Sequence, residues 1–131
     1  MQKNQDKLKI MTLFGTRPEI IRLSRVFTKL DQYLSHIMVH TGQSYDYELN
    51  QVFFKELKIR KPDYFLEVKS SSLGQQIAKI ISRSEKVFKK EKPDALLVLG
   101  DTNSSLGAII AKRIKIPIFH MEAGNRCFDQ R

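Results

Sequence analysis

The sequence predicts an α/β domain: a Rossmann-like, doubly wound parallel sheet. Two observations carry that expectation. Segments of strand character alternate with segments of helical periodicity along the chain. The best strand segments, 95–99 above all, are continuous apolar runs, as in sheets covered on both faces, and do not alternate. A length of 131 residues suits one domain, or one piece of a larger protein.

The elements follow in order. Residues 8–14 form the first strand, stopped by Gly15, and Pro18 suits the first turn of a helix, where its missing N–H costs nothing. Ile20, Leu23, Phe27 and Leu30 give that helix an apolar stripe. Residues 36–41 make a second strand ending at Gly42, and 46–57 read as a helix broken by Pro62 and Asp63. A short third strand is expected over 64–68. The clearest helix covers 72–91, with Leu73, Ile77, Ile80, Ile81, Ser84, Val87 and Phe88 on one face and Lys92-Pro93-Asp94 as its stop. Strand 95–99 precedes Gly100. Ser104 or Ser105 is expected to cap a helix through Lys112, and 116–121 make a last strand.

Composition excludes several classes. The single cysteine, Cys127, forbids an internal disulfide framework and a cysteine-rich zinc site, and points to a reducing, cytoplasmic setting. Cys127 has no evident partner base and reads as a bystander, and His36 and His40 are too scattered to form a metal site. The apolar run 95–99 falls far short of the ~18 residues of a membrane span. Lys9 interrupts the N-terminal apolar run and no small-residue cleavage site follows, which argues against a signal peptide. The net charge of +9 suggests an anionic partner. Yet the basic clusters Lys55-Lys58-Arg60-Lys61, Lys86-Lys89-Lys90-Lys92 and Lys112-Arg113-Lys115 all fall at predicted helix C-termini, where they complement the helix dipole as solvated ends. They lack interleaved aromatics and no nucleic-acid motif accompanies them, so no nucleic-acid partner is expected.

Ligands of open α/β sheets bind outside the carboxyl ends of the strands. The loops at that edge are 15–19, 42–46, 100–103 and 122–126, and they collect the polar and glycine residues that the strands lack. Loop 15–19 is neither a Walker loop nor a dinucleotide fingerprint. It opens a helix, so its N–H groups are expected to receive an anion, with Arg17 adding a planar fork and Arg22 supporting it one turn on. The alternative is Arg17 in a structural bridge to Glu19 or Glu122. Asp101 and Glu122 follow different strands at one edge, an arrangement that suits general acid–base work. A loop brace is the plainer role for Asp101. For His120 the plainer role is a hydrogen-bonded core residue.

At these loops the sequence resembles the non-hydrolysing UDP-N-acetylglucosamine 2-epimerase family. The matching stretches are Phe14-Gly15-Thr16-Arg17-Pro18-Glu19, Thr41-Gly42-Gln43, Lys92-Pro93-Asp94, Gly100-Asp101-Thr102 and His120-Met121-Glu122-Ala123-Gly124-Asn125-Arg126. The stretches 45–50 and 125–131 look like the branch that acts on UDP-2-acetamido-2,6-dideoxy-hexoses for surface polysaccharides. The resemblance implies the N-terminal half of a glycosyltransferase-B-type two-domain fold, with a UDP-sugar between the domains. It implies C2 inversion by elimination of UDP to a glycal and re-addition on the other face, without metal or redox cofactor. Asp101 and Glu122 match catalytic carboxylates. Gly15, Thr16, Arg17, Pro18, Arg22, Gln43, Thr102, His120 and Arg126 match the substrate-binding side. The family usually has lysine where this chain has Arg22, which implies binding and not proton transfer there. Gln43-Ser44-Tyr45 replaces the Gln-His-Arg of many relatives, at a place where some build a second, regulatory site.

Against that family the chain reads as a flexible segment 1–7 and an incomplete N-terminal domain 8–131, with the second domain absent. It is expected to be inactive alone, to leave apolar surface uncovered, and to pair with itself or with a missing C-terminal half. A non-catalytic nucleotide-sugar- or partner-binding fragment and a glycosyltransferase domain remain the alternatives. A receiver domain does not fit, because the loop after the first strand lacks paired acidic residues.

Overall fold

The computed structural model describes residues 7–43, 47–124 and 128. Strands β1 (Lys9–Phe14), β2 (Ser35–His40), β3 (Tyr64–Phe65), β4 (Ala95–Leu99) and β5 (Ile118–Met121) form one parallel sheet in the order β3-β2-β1-β4-β5. Helices α1 (Arg17–Tyr33), α2 (Tyr47–Glu56), α3 (Leu73–Glu91) and α4 (Ala108–Arg113) alternate with them, and a 3-10 turn, Asn103–Gly107, leads into α4. The order reverses between β1 and β4, which places the ligand crevice of such a fold at their carboxyl ends.

Alternate side chains of the buried strands feed two cores. Phe14, Met38 and Leu99 meet Ile20, Leu23 and Phe27 of α1 and Phe54 of α2 on one face. Met11, Leu13, Ile37, Val39, Leu96 and Val98 meet Ile80, Val87 and Phe88 of α3 and Ala111 of α4 on the other. On that second face a Cβ on Gly107 would lie 2.5 Å from Leu13 Cδ2 and 3.1 Å from Ser84 Oγ, so a side chain there would press on both where the 3-10 turn meets β1 and α3.

Several elements differ from expectation, each for a local reason. The apolar stripe of α3 begins late: Leu73 is 62% exposed, and full burial starts at Ile80. β3 stops at Phe65 because Glu67 turns to φ 51° and Arg83 Nη1 donates to the Glu67 carbonyl at 2.7 Å, withdrawing it from any ladder. β5 starts at Ile118, since Ile116 N–H closes α4 on the Ala111 carbonyl and Pro117 has no N–H to give. Neither Ser104 nor Ser105 is an N-cap. Thr102 holds that position, Ser104 Oγ is engaged with Thr41 and Gln43, and Ser105 Oγ donates to the Thr102 carbonyl.

The sheet is covered on both faces except at β5, where Phe119 is 62% exposed and Met121 36%. Apolar side chains are therefore open at this edge. Among the described residues no helix is long and apolar enough to cross a membrane. Arg60 departs from its cluster of solvated cations. Its Nε donates to both Asp31 oxygens and its Nη1 to Asp63 Oδ2, while Asp63 accepts the Met38 N–H at 2.8 Å.

The left-handed region marks the helix ends. Lys58, Lys92 and Lys115 have φ of 54°, 48° and 65°, each just past a helix, where glycine is usual. Lys92 is the C-cap of α3, its N–H donating to Phe88 O at 2.8 Å. Lys92→Gly is expected to raise stability by roughly 0.5–1 kcal/mol in urea unfolding.

His40, 1% exposed, is held neutral by burial, which lowers its pKa from 6.5 to about 4; burial also lowers that of His36, against its hydrogen bond to Asp31. The unfolded chain thus takes up these protons first. Stability is whole above pH 6.5 and falls as pH drops, the His40 share reaching about 3 kcal/mol near pH 4. Urea midpoints measured from pH 7 to 4.5 should decline along that curve, and His40→Phe should flatten it.

Candidate functional site

Local structure at the end of β1 is set by one carboxylate. Thr16 is the N-cap of α1 and Glu19 its third residue, a spacing that lets the Glu side chain reach back to the cap. Glu19 is 3% exposed. Its Oε2 accepts the N–H groups of Gly15 and Thr16 at 2.9 and 2.8 Å and the Thr16 hydroxyl at 2.8 Å. Its Oε1 accepts the Thr102 hydroxyl at 2.9 Å, from the loop after β4. The expectation that the N–H groups of loop 15–19 receive an external anion is therefore corrected for Gly15 and Thr16: Glu19 already occupies them, and Pro18 has none.

Gly15 is needed for close approach. A Cβ there would sit 2.0 Å from Thr41 Oγ1 and 2.4 Å from Ser104 Oγ, which are themselves hydrogen-bonded at 2.7 Å. Gln43, after β2, joins this knot: its Oε1 accepts the Ser104 N–H at 3.0 Å and hydroxyl at 2.8 Å. Loops from β1, β2 and β4 are thus tied through Glu19, Thr41, Gln43, Thr102 and Ser104. Thr41 and Ser104 were not among the expected site residues. The Thr-x-x-Glu spacing was the one signal for this framework, and it identifies only the Glu19 part.

Over the knot lies a cleft of about 440 Å³ between α1 and the β4 loop, lined by Thr16, Pro18, Glu19, Arg22, Asp101 and Thr102 among others. Asp101 is exposed and makes no hydrogen bond or ion pair with the described residues. Arg22 Nη2 pairs with Glu122 Oε1, bringing the β5 loop to α1; the two side chains are 53% and 29% exposed. Glu122 has φ 59°, an unfavourable left-handed conformation for this residue type of the kind that concentrates at functional sites.

Arg17 forms neither of the bridges considered for it. Its guanidinium lies 5.2 Å from the centroid of Phe53, on α2, a cation–π contact. His120 is hydrogen-bonded, with Nε2–H donating to the Gly100 carbonyl at 2.6 Å, but it is exposed rather than part of the core. It steadies the loop that carries Asp101. Arg126, with Asn125 and Cys127, and residues 44–46 lie outside the described residues. Among the described residues, no group of three His, Cys, Asp or Glu side chains is placed to hold a metal ion.

Comparison with known proteins fits this geometry. A profile of the family described as UDP-N-acetylglucosamine 2-epimerase matches residues 28–131. A solved structure of UDP-N-acetylglucosamine 2-epimerase from Rickettsia bellii superposes with a TM-score of 0.87 at 62% identity, over 95% of this chain and 33% of that one. The Methanocaldococcus jannaschii UDP-GlcNAc 2-epimerase, solved in complex with UDP-GlcNAc and UDP, gives a TM-score of 0.87 at 41% identity, over 94% and 34%. UDP-2,3-diacetamido-2,3-dideoxy-D-glucuronate 2-epimerase of Pseudomonas aeruginosa is 44% identical over 95% of this chain and 36% of its own. The chain spans about a third of the length of these relatives. On the match over residues 28–131, the chain belongs to the UDP-N-acetylglucosamine 2-epimerase family.

Proposed function

We propose that this chain forms the sugar-facing part of a site that inverts C2 of a UDP-2-acetamido sugar, UDP-GlcNAc/UDP-ManNAc or a 6-deoxy relative, in making surface-polysaccharide precursors. The observation that carries the proposal is the cleft at the β1/β4 switch, where Asp101, without a partner among the described residues, stands on one loop and Glu122 is held toward α1 by Arg22. The relative solved with UDP-GlcNAc and UDP supports the ligand class. Asp101 and Glu122 are the proposed catalytic carboxylates. Gly15, Thr16, Arg17, Pro18, Arg22, Gln43, Thr102, His120 and Arg126 are the proposed substrate-binding group.

The chemistry asks for such a set. The C2 proton is weakly acidic, so cleavage of the bond from C1 to UDP leads and builds oxocarbenium character, which a carboxylate stabilises. A second group takes the C2 proton, leaving a glycal and UDP. UDP then adds back to C1 while a proton is delivered to the other face of C2. Arg22 has a binding role that also bears on Glu122. An incoming diphosphate competes with Glu122 for the guanidinium, so substrate binding releases the carboxylate from its ion pair. A positioned pair needs the remaining contacts of a closed site to reach a high effective molarity, so the chain by itself is proposed to be inactive. The missing contacts would come from a partner half or another copy. The setting proposed is the cytoplasm.

A chimera tests this: residues 1–131 in place of the equivalent third of the Rickettsia bellii relative, assayed in deuterated water with UDP-N-acetylglucosamine by NMR at C2. Deuterium is expected to enter C2 in the chimera and not with the isolated chain. Asp101→Asn and Glu122→Gln should each slow exchange by about 10²–10⁴, while Arg22→Lys should keep most of the rate. A chimera that binds UDP-N-acetylglucosamine without exchange would favour a binding fragment. Exchange indifferent to Asp101 and Glu122 would remove them from the chemistry.

A further inference from the structure

Among the described residues the Asp101 side chain has no partner, but the residues on either side of it are tied down. On one side the Thr102 hydroxyl donates to Glu19 Oε1 at 2.9 Å. On the other, the Gly100 carbonyl accepts from His120 Nε2 at 2.6 Å, and the Gly100 N–H donates to the Met121 carbonyl at 2.9 Å. A carbonyl only accepts, so Nε2 carries the proton, and the bond holds whether or not Nδ1 is protonated as well. Gly100 has φ 66°, and a Cβ there would meet nothing within 4 Å, so glycine serves the bend and not the space. Glycine also has the widest backbone freedom of any residue, which leaves the turn that aims Asp101 soft unless something grips it.

We infer that His120 is a positioning residue for the epimerisation: its ring clamps the Gly100–Asp101 peptide to β5 and so fixes where the Asp101 carboxylate stands relative to Glu122. The inference rests on the reading of Asp101 and Glu122 as the reacting carboxylates. Glu122 follows directly on β5, whose last residue is Met121, and is held to α1 by Arg22. Both carboxylates thus take their places from the end of β5, one along the chain and one through the His120 hydrogen bond. Of the residues assigned above to substrate binding, His120 acts indirectly, because its Nε2–H is already engaged within the protein. A reacting group displaced by about 1 Å can lose on the order of 10² in rate. Contacts to the rest of the substrate are untouched by such a displacement, so the loss falls on kcat and not on KM.

Two measurements test this, the first without any need for activity. In the 131-residue chain labelled with ¹⁵N, His120→Ala is expected to speed amide exchange at Gly100 by about tenfold, with Leu96 and Val98 of β4 as the unchanged reference. His120→Gln, whose amide nitrogen lies as far along the side chain as Nε2, should restore protection. His120→Asn, whose nitrogen matches Nδ1, should not. In the chimera with the Rickettsia bellii relative, His120→Ala should lower kcat by about 10–100-fold. KM should stay within about twofold, and His120→Gln should recover most of the rate. Exchange at Gly100 that ignores His120, a raised KM with kcat kept, or His120→Asn matching His120→Gln would overturn the inference. A chimera indifferent to Asp101→Asn would instead overturn the reading of the site on which it rests, while Gly100 exchange reports the clamp separately.

Discussion

The carboxylate of Glu19 is buried, and an ionised group taken from water is strongly unfavourable unless it is fully hydrogen-bonded. Glu19 meets that demand with two backbone N–H groups and two hydroxyls from two loops. Those loops are the ones flanking the topological switch. Satisfying the charge therefore fixes how the start of α1 stands against the end of β4, and with it the mouth of the cleft. Gly15 belongs to the same constraint, because a side chain there would force Thr41 and Ser104 away from the first loop. The cleft is a consequence of that packing, and Arg22, Asp101 and Thr102 line it because the loops beneath them are not free to move apart.

Charge is sorted along the strand axis by the same architecture. Parallel strands send helix C-termini to one edge, where Lys58, Lys92 and Lys115 take left-handed conformations that glycine would adopt more easily. At the other edge the acidic groups are paired or poised beside Arg17 and Arg22: Glu19 in its knot, Glu122 on Arg22, Asp101 in the cleft. The net positive charge is thus mainly a property of the edge away from the cleft. Arg60 is an exception, since two aspartates and two backbone carbonyls absorb its donors at that basic edge.

Much of the fold was legible because strand and helix segments differ sharply in period, and because Ala95–Leu99 leaves little room for a polar face. What escaped was tertiary. The shortening of β3 depends on Arg83 reaching the Glu67 carbonyl from α3, and the exposure of Leu73 on where α3 first meets the sheet. Sequence placed Asp101 and Arg22 at the right edge, and the cleft unites them. It could not say which cation pairs with which anion: Arg22, not Arg17, takes Glu122, while Arg17 turns to Phe53. Loop 15–19 looked like an anion receptor because its N–H groups are free in any isolated helix start. The anion they hold is the chain's own.

The Glu19 constraint is tested most directly by amide hydrogen exchange on Glu19→Ala. The Gly15 and Thr16 amides lose their acceptor by construction, so the informative positions are Ser104 and Ser105, across the cleft, with Leu13 and Val39 in the sheet as internal reference. If one carboxylate joins the two loops, exchange at Ser104 and Ser105 will quicken by about tenfold or more while the sheet stays protected. Unchanged protection at Ser104 and Ser105 would show that the β4 loop holds its place without Glu19, and the account of the cleft would be wrong.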